Sequence, residues 1–147
     1  MDYIPRTLEV LLVEDNEGDV RLIKEAFNES KIDKTFAVAK DGEEALNYLY
    51  RKGAHTASTR PDIILLDINL PKKNGFEVLN SIKNDPDLKR IPVIMLSSSS
   101  SEDHIAKSYD LNANCYVTKP VDFDEYTQVV KTIEDFWFQM VKLPGVA

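Results

Sequence analysis

Residues 63–75 read IILLDINLPKKNG: four aliphatic residues, an aspartate where the run stops, then a polar turn that ends on glycine. Four unbroken aliphatics between Pro61 and Pro71 suit a strand covered on both faces, and that implies a parallel sheet with helices on either side. Asp67 then stands at the strand's carboxyl end, the edge where open parallel sheets bind ligands. An aspartate in that place also serves simply to start a turn, and the segment alone leaves both readings open.

The flanking chain repeats the pattern. Residues 8–13, LEVLLV, are a second aliphatic run, ending on Glu14 and Asp15. Asn16 caps a helix over 17–29 with Asp19 at its third position, and Val20, Ile23 and Phe27 form its inner face. Phe36 and Val38 alternate in a strand at 35–39, as suits a sheet edge. Asp41 and Glu44 cap a helix running to about Arg51, and a polar loop follows over 51–60. Beyond the central strand, Asn74 and Glu77 cap a third helix that closes at the two prolines of residues 84–92. VIMLS at 93–97 is a fourth strand, and its serine-rich exit leads to a short helix capped by Ser100 and Asp103 and carried by Ile105, Ala106 and Tyr109. CYVT at 115–118 is the fifth strand, ending on Lys119 and Pro120; a cis Lys119–Pro120 bond would aim the ammonium back over the strand tips. Asp122 and Glu125 cap a last helix extending to about Lys142.

Five strands alternating with five helices, with no internal repeat or linker, predict one α/β domain over residues 1–147: a doubly wound, five-stranded parallel sheet with helices on both faces and an extended C-terminal helix. The flavodoxin-like order 2-1-3-4-5 puts the first and third strands together at a topological switch point. Glu14, Asp15 and Asp67 then converge on one crevice, with Ser97 and Lys119 at the same edge.

With 147 residues, 43% of them apolar, the chain can bury one sizeable core. A net charge of −7 argues against gripping a phosphate backbone, so no nucleic acid partner is expected. The lone Cys115 forms no internal disulfide and is expected to be a small buried strand residue. No signal-like or membrane-length apolar run is present, and a cytoplasmic location without a membrane partner is expected.

Three carboxylates about 4 Å apart repel by about 4 kcal/mol per pair at an effective dielectric of ~20, so positive charge belongs among them. Lys119 supplies one unit, and a hard divalent cation supplies the rest; Mg²⁺ suits a site with few carboxylates and several waters. Asp67 would be both ligand and nucleophile, attacking phosphorus to give an acyl phosphate. The metal, Lys119 and the Ser97 hydroxyl would each take one phosphoryl oxygen. Each part alone also has an ordinary reading, as a solvated lysine, a turn serine or an acidic loop; their conjunction favours the metal site.

The acidic pair after strand one, DINLPKKNG after strand three, Ser97 after strand four and YVTKP at strand five together resemble the response-regulator receiver domain over nearly the whole chain. The resemblance implies that Asp67 is the phosphoacceptor of a sensor histidine kinase and that Asp15 and Asp67 bind Mg²⁺ directly. It further implies Glu14 acting through water and the Asn69 main-chain carbonyl completing the protein ligands. Ser97 would be the switch hydroxyl, Tyr116 the switch aromatic and Lys119 the phosphate-facing lysine. Ser97 and Glu14 depart mildly from the commoner threonine and aspartate. The insert before strand three, the run NANCYVTKPVD and the helix IEDFWF are similar to single-domain regulators associated with phytochrome-type kinases. On that reading output passes through protein contacts. His55 and His104 are expected away from the strand-tip edge, exposed to solvent.

A dehalogenase-type phosphatase would need an acid two residues beyond Asp67, where Asn69 stands. A flavodoxin-like carrier would need to seat its phosphate against the acids of residues 14–19, which would repel it; a degenerate receiver acting only as a scaffold stays open as an alternative that Mg²⁺ binding separates, although all five site positions hold competent groups. In the last helix, Tyr126, Val130, Ile133, Trp137 and Met140 make one inward stripe, while Phe138 falls beyond it and Phe136 lies on its flank. Receiver domains pair through their fourth and fifth helices and fifth strand, so a homodimer using this last helix is expected.

Overall fold

The structure is a computed structural model, and it describes residues 7–30 and 32–140, the side chains of 138–140 excepted. Its strands are β1 (Leu8–Val13), β2 (Lys34–Ala39), β3 (Ile63–Leu66), β4 (Val93–Ser97) and β5 (Cys115–Thr118). Its helices are α1 (Glu17–Asn28), α2 (Gly42–Tyr50), α3 (Gly75–Lys83), α4 (Glu102–Asp110) and α5 (Phe123–Ile133). The strands form one parallel sheet in the order β2-β1-β3-β4-β5, as the alternation of elements implied.

Two-residue periodicity divides the buried strand side chains between two cores. Leu11, Val13, Ile64 and Leu66 face α2 and α3, where they meet Leu46, Leu49, Val78, Leu79 and Ile82. Val10, Leu12, Ile63 and Leu65 face α1 and α5, against Ile23, Phe27, Tyr126 and Val130. The register decides what happens at the tips. Val13 pairs with Leu66, so Glu14 and Asp67 leave adjacent strands side by side, and the Asp67 amide donates to the Val13 carbonyl at 3.1 Å. Ser97 pairs with Thr118, and the Lys119 amide donates to the Ser97 carbonyl at 2.7 Å.

Asn16, Asp41, Asn74 and Asp122 cap their helices as their spacing predicted, each accepting from the amide three residues on. The cap of α4 is one residue later than expected: Ser101, not Ser100, receives the His104 amide. Of that helix, Ala106 and Tyr109 are exposed and the inward residue is Ser108. A serine satisfied by the His104 carbonyl can be buried, and apolar periodicity does not register it. Cys115 is half-buried rather than fully buried, being on the edge strand.

The last helix also departs from the 3.6-residue pattern. Tyr126, Val130 and Ile133 face inward as expected, but from Glu134 to Met140 the backbone is a π-helix. At that junction Glu134 is buried against Lys34, 3.5 Å away. Phe136 is 45% exposed and meets Trp137 edge-on. The Phe138 and Met140 side chains and the expected end near Lys142 lie outside the described residues. Among the described residues no helix is long and apolar enough to cross a membrane.

Candidate metal and phosphoryl site

The tips of β1, β3 and β5 bring the expected residues together. Glu14, Asp15 and Asp67 each place a carboxylate oxygen within 4.8 Å of the others. Glu14 is 1% and Asp67 5% exposed, while Asp15 is open to solvent. Lys119 reaches in from β5, its side chain nearly buried, to pair with Glu14, with Asp19 at 3.0 Å and with Asp67 at 3.2 Å. Among the described residues every peptide bond is trans, so the ammonium arrives over the strand tips without a cis Lys119–Pro120 bond. The reach comes from the β4–β5 register and the four-carbon stem.

The remaining hydrogen bonds orient the acids. Asp67 turns Oδ1 onto the Ile68 amide at 2.7 Å and leaves Oδ2 to Lys119. The other Glu14 oxygen accepts from the Asn16 amide. The loop from Asp67 to Gly75 folds back tightly: a Cβ on Gly75 would lie 2.2 Å from the Asp67 carbonyl oxygen, so only glycine fits beneath the acid. Burial pushes the Glu14 carboxyl up to about 7; the Lys119 hydrogen bond opposes that rise and the Asp67 charge adds to it. Burial alone would lower the Lys119 ammonium, but its bonds to Glu14 and Asp19 and the Asp67 charge outweigh it and the net direction is up. The ammonium is firmly charged.

The structure brings in residues that sequence reasoning missed. Asp19, taken for a helix-start acid, is a third acceptor on Lys119, and its other oxygen accepts from the Tyr126 hydroxyl of α5 at 3.2 Å. Its position in the first turn of the helix leaving the β1 tip was the available signal. His104 corrects the expectation of a solvent-exposed residue remote from the edge. It lines a crevice of ≈ 440 Å³ beside Asp15, Asn69, Asn74 and Phe76. Its Nδ1 lies 2.7 Å from Ser99 Oγ and its ring meets Phe76 edge-on. His55 is half-buried, 3.7 Å from Glu44 and edge-on to Tyr48, away from the strand tips.

Ser97 is fully buried, and its hydroxyl accepts from the Ser99 amide at 3.2 Å. The half-buried Tyr116 donates its hydroxyl to the Ser99 carbonyl at 2.6 Å. One loop residue is thus held by both.

The donor set suits a hard divalent cation. It consists of clustered carboxylate oxygens, one of them on an exposed residue, with Asn69 on the adjoining crevice wall. Among the described residues, Glu14, Asp19 and Asp67 share the Lys119 ammonium and Asp15 adds a fourth carboxylate beside Glu14 and Asp67, an excess of negative charge that a divalent ion relieves.

Comparison with known proteins accords with this geometry. The model of the response regulator receiver domain matches residues 10–131. Response regulator Rcp1 of Synechocystis sp. is 47% identical over 136 residues, 92% of each chain. The crystal structure of the phosphorylated cyanobacterial phytochrome response regulator RcpA superposes with a TM-score of 0.91 at 49% identity, covering 95% of this chain and all of that one. The Mn²⁺-bound form of Rcp1 gives a TM-score of 0.89 at 46% identity, over 94% of this chain and 99% of its own. With these relatives, this sheet order and an acidic site of this composition, the chain belongs to the response regulator receiver domain family: it is a two-component signalling domain that takes up a phosphoryl group from a histidine kinase with the help of a divalent metal.

Proposed function

We propose that Asp67 is the phosphoacceptor and that residues 1–147 act as one receiver with an extended last helix. The observation that carries this is the position of Asp67: a nearly buried carboxylate at the β3 tip, within 4.8 Å of the Glu14 and Asp15 oxygens and 3.2 Å from the Lys119 ammonium. An Asp67 oxygen bonds to phosphorus as the donor's bond to phosphorus breaks, giving an acyl phosphate. Asp15, Asp67 and the Asn69 carbonyl would hold Mg²⁺, with Glu14 acting through water, and the ion would supply positive charge to the phosphoryl oxygens. Lys119 and the Ser97 hydroxyl take the other oxygens. The domain is a signalling component whose only catalysis is of its own phosphorylation and dephosphorylation.

The switch runs through Ser99. A Ser97 hydroxyl that turns toward the phosphoryl group withdraws the acceptor from the Ser99 amide, and the loop that then moves carries away the carbonyl holding Tyr116. Tyr116 follows into the vacated space, which alters the surface around β5 and α4. The partners are a phytochrome-type histidine kinase, by likeness to Rcp1 and RcpA, and a second copy of the chain through the last helix, where Phe136 is exposed; the location is the cytoplasm.

A small phosphodonor with Mg²⁺, followed by intact mass, tests the assignment: one phosphoryl group is expected on the wild type, none on Asp67→Asn and none in chelator. Equal labelling of Asp67→Asn refutes it. NMR shifts of Tyr116 and the 98–104 loop that do not change with a phosphoryl mimic refute the switch. Sedimentation at micromolar protein tests the dimer; a monomer with and without the mimic refutes it.

A further inference from the structure

We propose that Asp19 is a positioning residue for the phosphoryl chemistry: it holds the Lys119 ammonium over the site while the other two partners of that ammonium change. The inference rests on Asp67 being the phosphoacceptor.

An ammonium has three N–H bonds. Here all three are engaged, by Glu14, Asp19 and Asp67, so a phosphoryl oxygen needs a hydrogen now given to a carboxylate. The three acceptors are not equivalent. Formation of the acyl phosphate removes the carboxylate charge of Asp67, and its oxygen ceases to be a strong acceptor. Glu14 belongs to the group of acids whose oxygens lie within 4.8 Å of one another, and a cation there competes with Lys119 for it. Asp19 stands outside that group. It comes from the first turn of α1, and its carboxylate keeps both its charge and its place through the reaction.

Its orientation is also held from outside. Oδ2 accepts from Lys119 at 3.0 Å and Oδ1 from the Tyr126 hydroxyl at 3.2 Å, so the carboxylate bridges α5 and β5. Tyr126 is among the most buried side chains of the second core, packed between α5 and the sheet. A buried, packed hydroxyl fixes the carboxylate rotation, and the carboxylate fixes the ammonium. Supports of this kind typically change affinity or activity by 10- to 100-fold when removed.

The experiment compares initial phosphorylation rates with acetyl phosphate and Mg²⁺, by intact mass, alongside Mg²⁺ binding by calorimetry. Asp19→Asn is expected to retain Mg²⁺ binding and to be phosphorylated about tenfold more slowly. Tyr126→Phe, which keeps the ring, is expected to slow the reaction in the same direction by about two- to threefold, less than Asp19→Asn because it removes only the bond that orients the carboxylate and leaves Lys119 paired with Asp19. In a Lys119→Ala background, Asp19→Asn should have no further effect, a non-additivity that a purely structural role does not produce. A wild-type rate in folded Asp19→Asn overturns the proposal, as does a tenfold loss that persists in full without Lys119. If Asp19→Asn fails to fold, an unchanged rate in Tyr126→Phe overturns it. Labelling of an Asp67→Asn control equal to wild type removes the phosphoacceptor assignment itself, and this proposal with it.

Discussion

Replacing Lys119 with methionine keeps an unbranched apolar stem of four heavy atoms and removes the ammonium at its end. Its Nζ lies 3.2 Å from Asp67, where one attraction amounts to about 5 kcal/mol at an effective dielectric of ~20. Much of this is offset in the wild type by the cost of burying the charges. What a deletion measures is the repulsion left behind, about 3–5 kcal/mol for removing one partner from a buried charged group. Glu14 sets where in that range the loss falls. Its carboxyl, pushed up to about 7, is protonated more in the folded than in the unfolded chain between its ordinary value of 4.5 and that point. The stability this group contributes therefore falls as pH rises through that window. At pH 5.5, below that value, the carboxyl is protonated with or without the ammonium and adds no charge to the cluster, whereas at pH 8 the wild type holds it ionised against Lys119 and the variant leaves its repulsion with Asp67 uncompensated. The expected loss in chelator at pH 8 lowers the melting temperature by roughly 10 °C, at about 2–4 °C per kcal/mol for a chain this size. At pH 5.5 the loss should be clearly smaller. Because Mg²⁺ takes over the neutralising role, it should stabilise the variant more than the wild type at equal concentration. Thermal melts of both proteins, at both pH values, in chelator and in Mg²⁺, give all the comparisons. A variant as stable as wild type in chelator at pH 8, or one that Mg²⁺ rescues no better, refutes the reasoning.

Three further outcomes follow from particular contacts. Calorimetric Mg²⁺ affinity should rise between pH 5 and 7, approaching ~tenfold per unit, and level off above the Glu14 value, because the ion competes with a proton; a flat profile counts against Glu14. Gly75→Ala should cost about 1–3 kcal/mol or more and weaken Mg²⁺ binding, since its Cβ would drive into the Asp67 carbonyl and Ile68 Cα; unchanged urea unfolding and metal binding would contradict the close approach. Glu134→Ala strands the buried Lys34 and should cost about 3–5 kcal/mol, most of it regained when Lys34→Met and Glu134→Leu are combined, as chemical denaturation would measure; a neutral single variant would mean that the Phe27 carbonyl and ring suffice for Lys34.

Local chemistry sufficed wherever a segment's own residues specify its conformation. The aliphatic runs at 8–13, 63–66 and 93–97, the four Asn/Asp caps and the alternation of elements determine a doubly wound sheet. Its switch point then brings Glu14, Asp15 and Asp67 together. Side chains at the ends of consecutive elements need only the topology to be placed. What the tertiary structure alone decided are contacts between segments whose sequence patterns carry no mutual signal. Asp19 and Tyr126 each have an ordinary helical explanation, and only the packing of α1 against α5 makes them one bridge to Lys119. His104 has no apolar or capping periodicity; the turn of α4 above α3 brings its ring onto Phe76 and into the crevice wall. Glu134 reads as a solvated acid until the helix passes from α to π and sets it against Lys34 of β2, a hundred residues earlier in the chain. Periodicity reports how a segment meets an apolar core, since burial of hydrocarbon is non-directional and repeats with the backbone. Hydrogen bonds and ion pairs are directional and pairwise, so their partners are chosen only when distant segments are already in place.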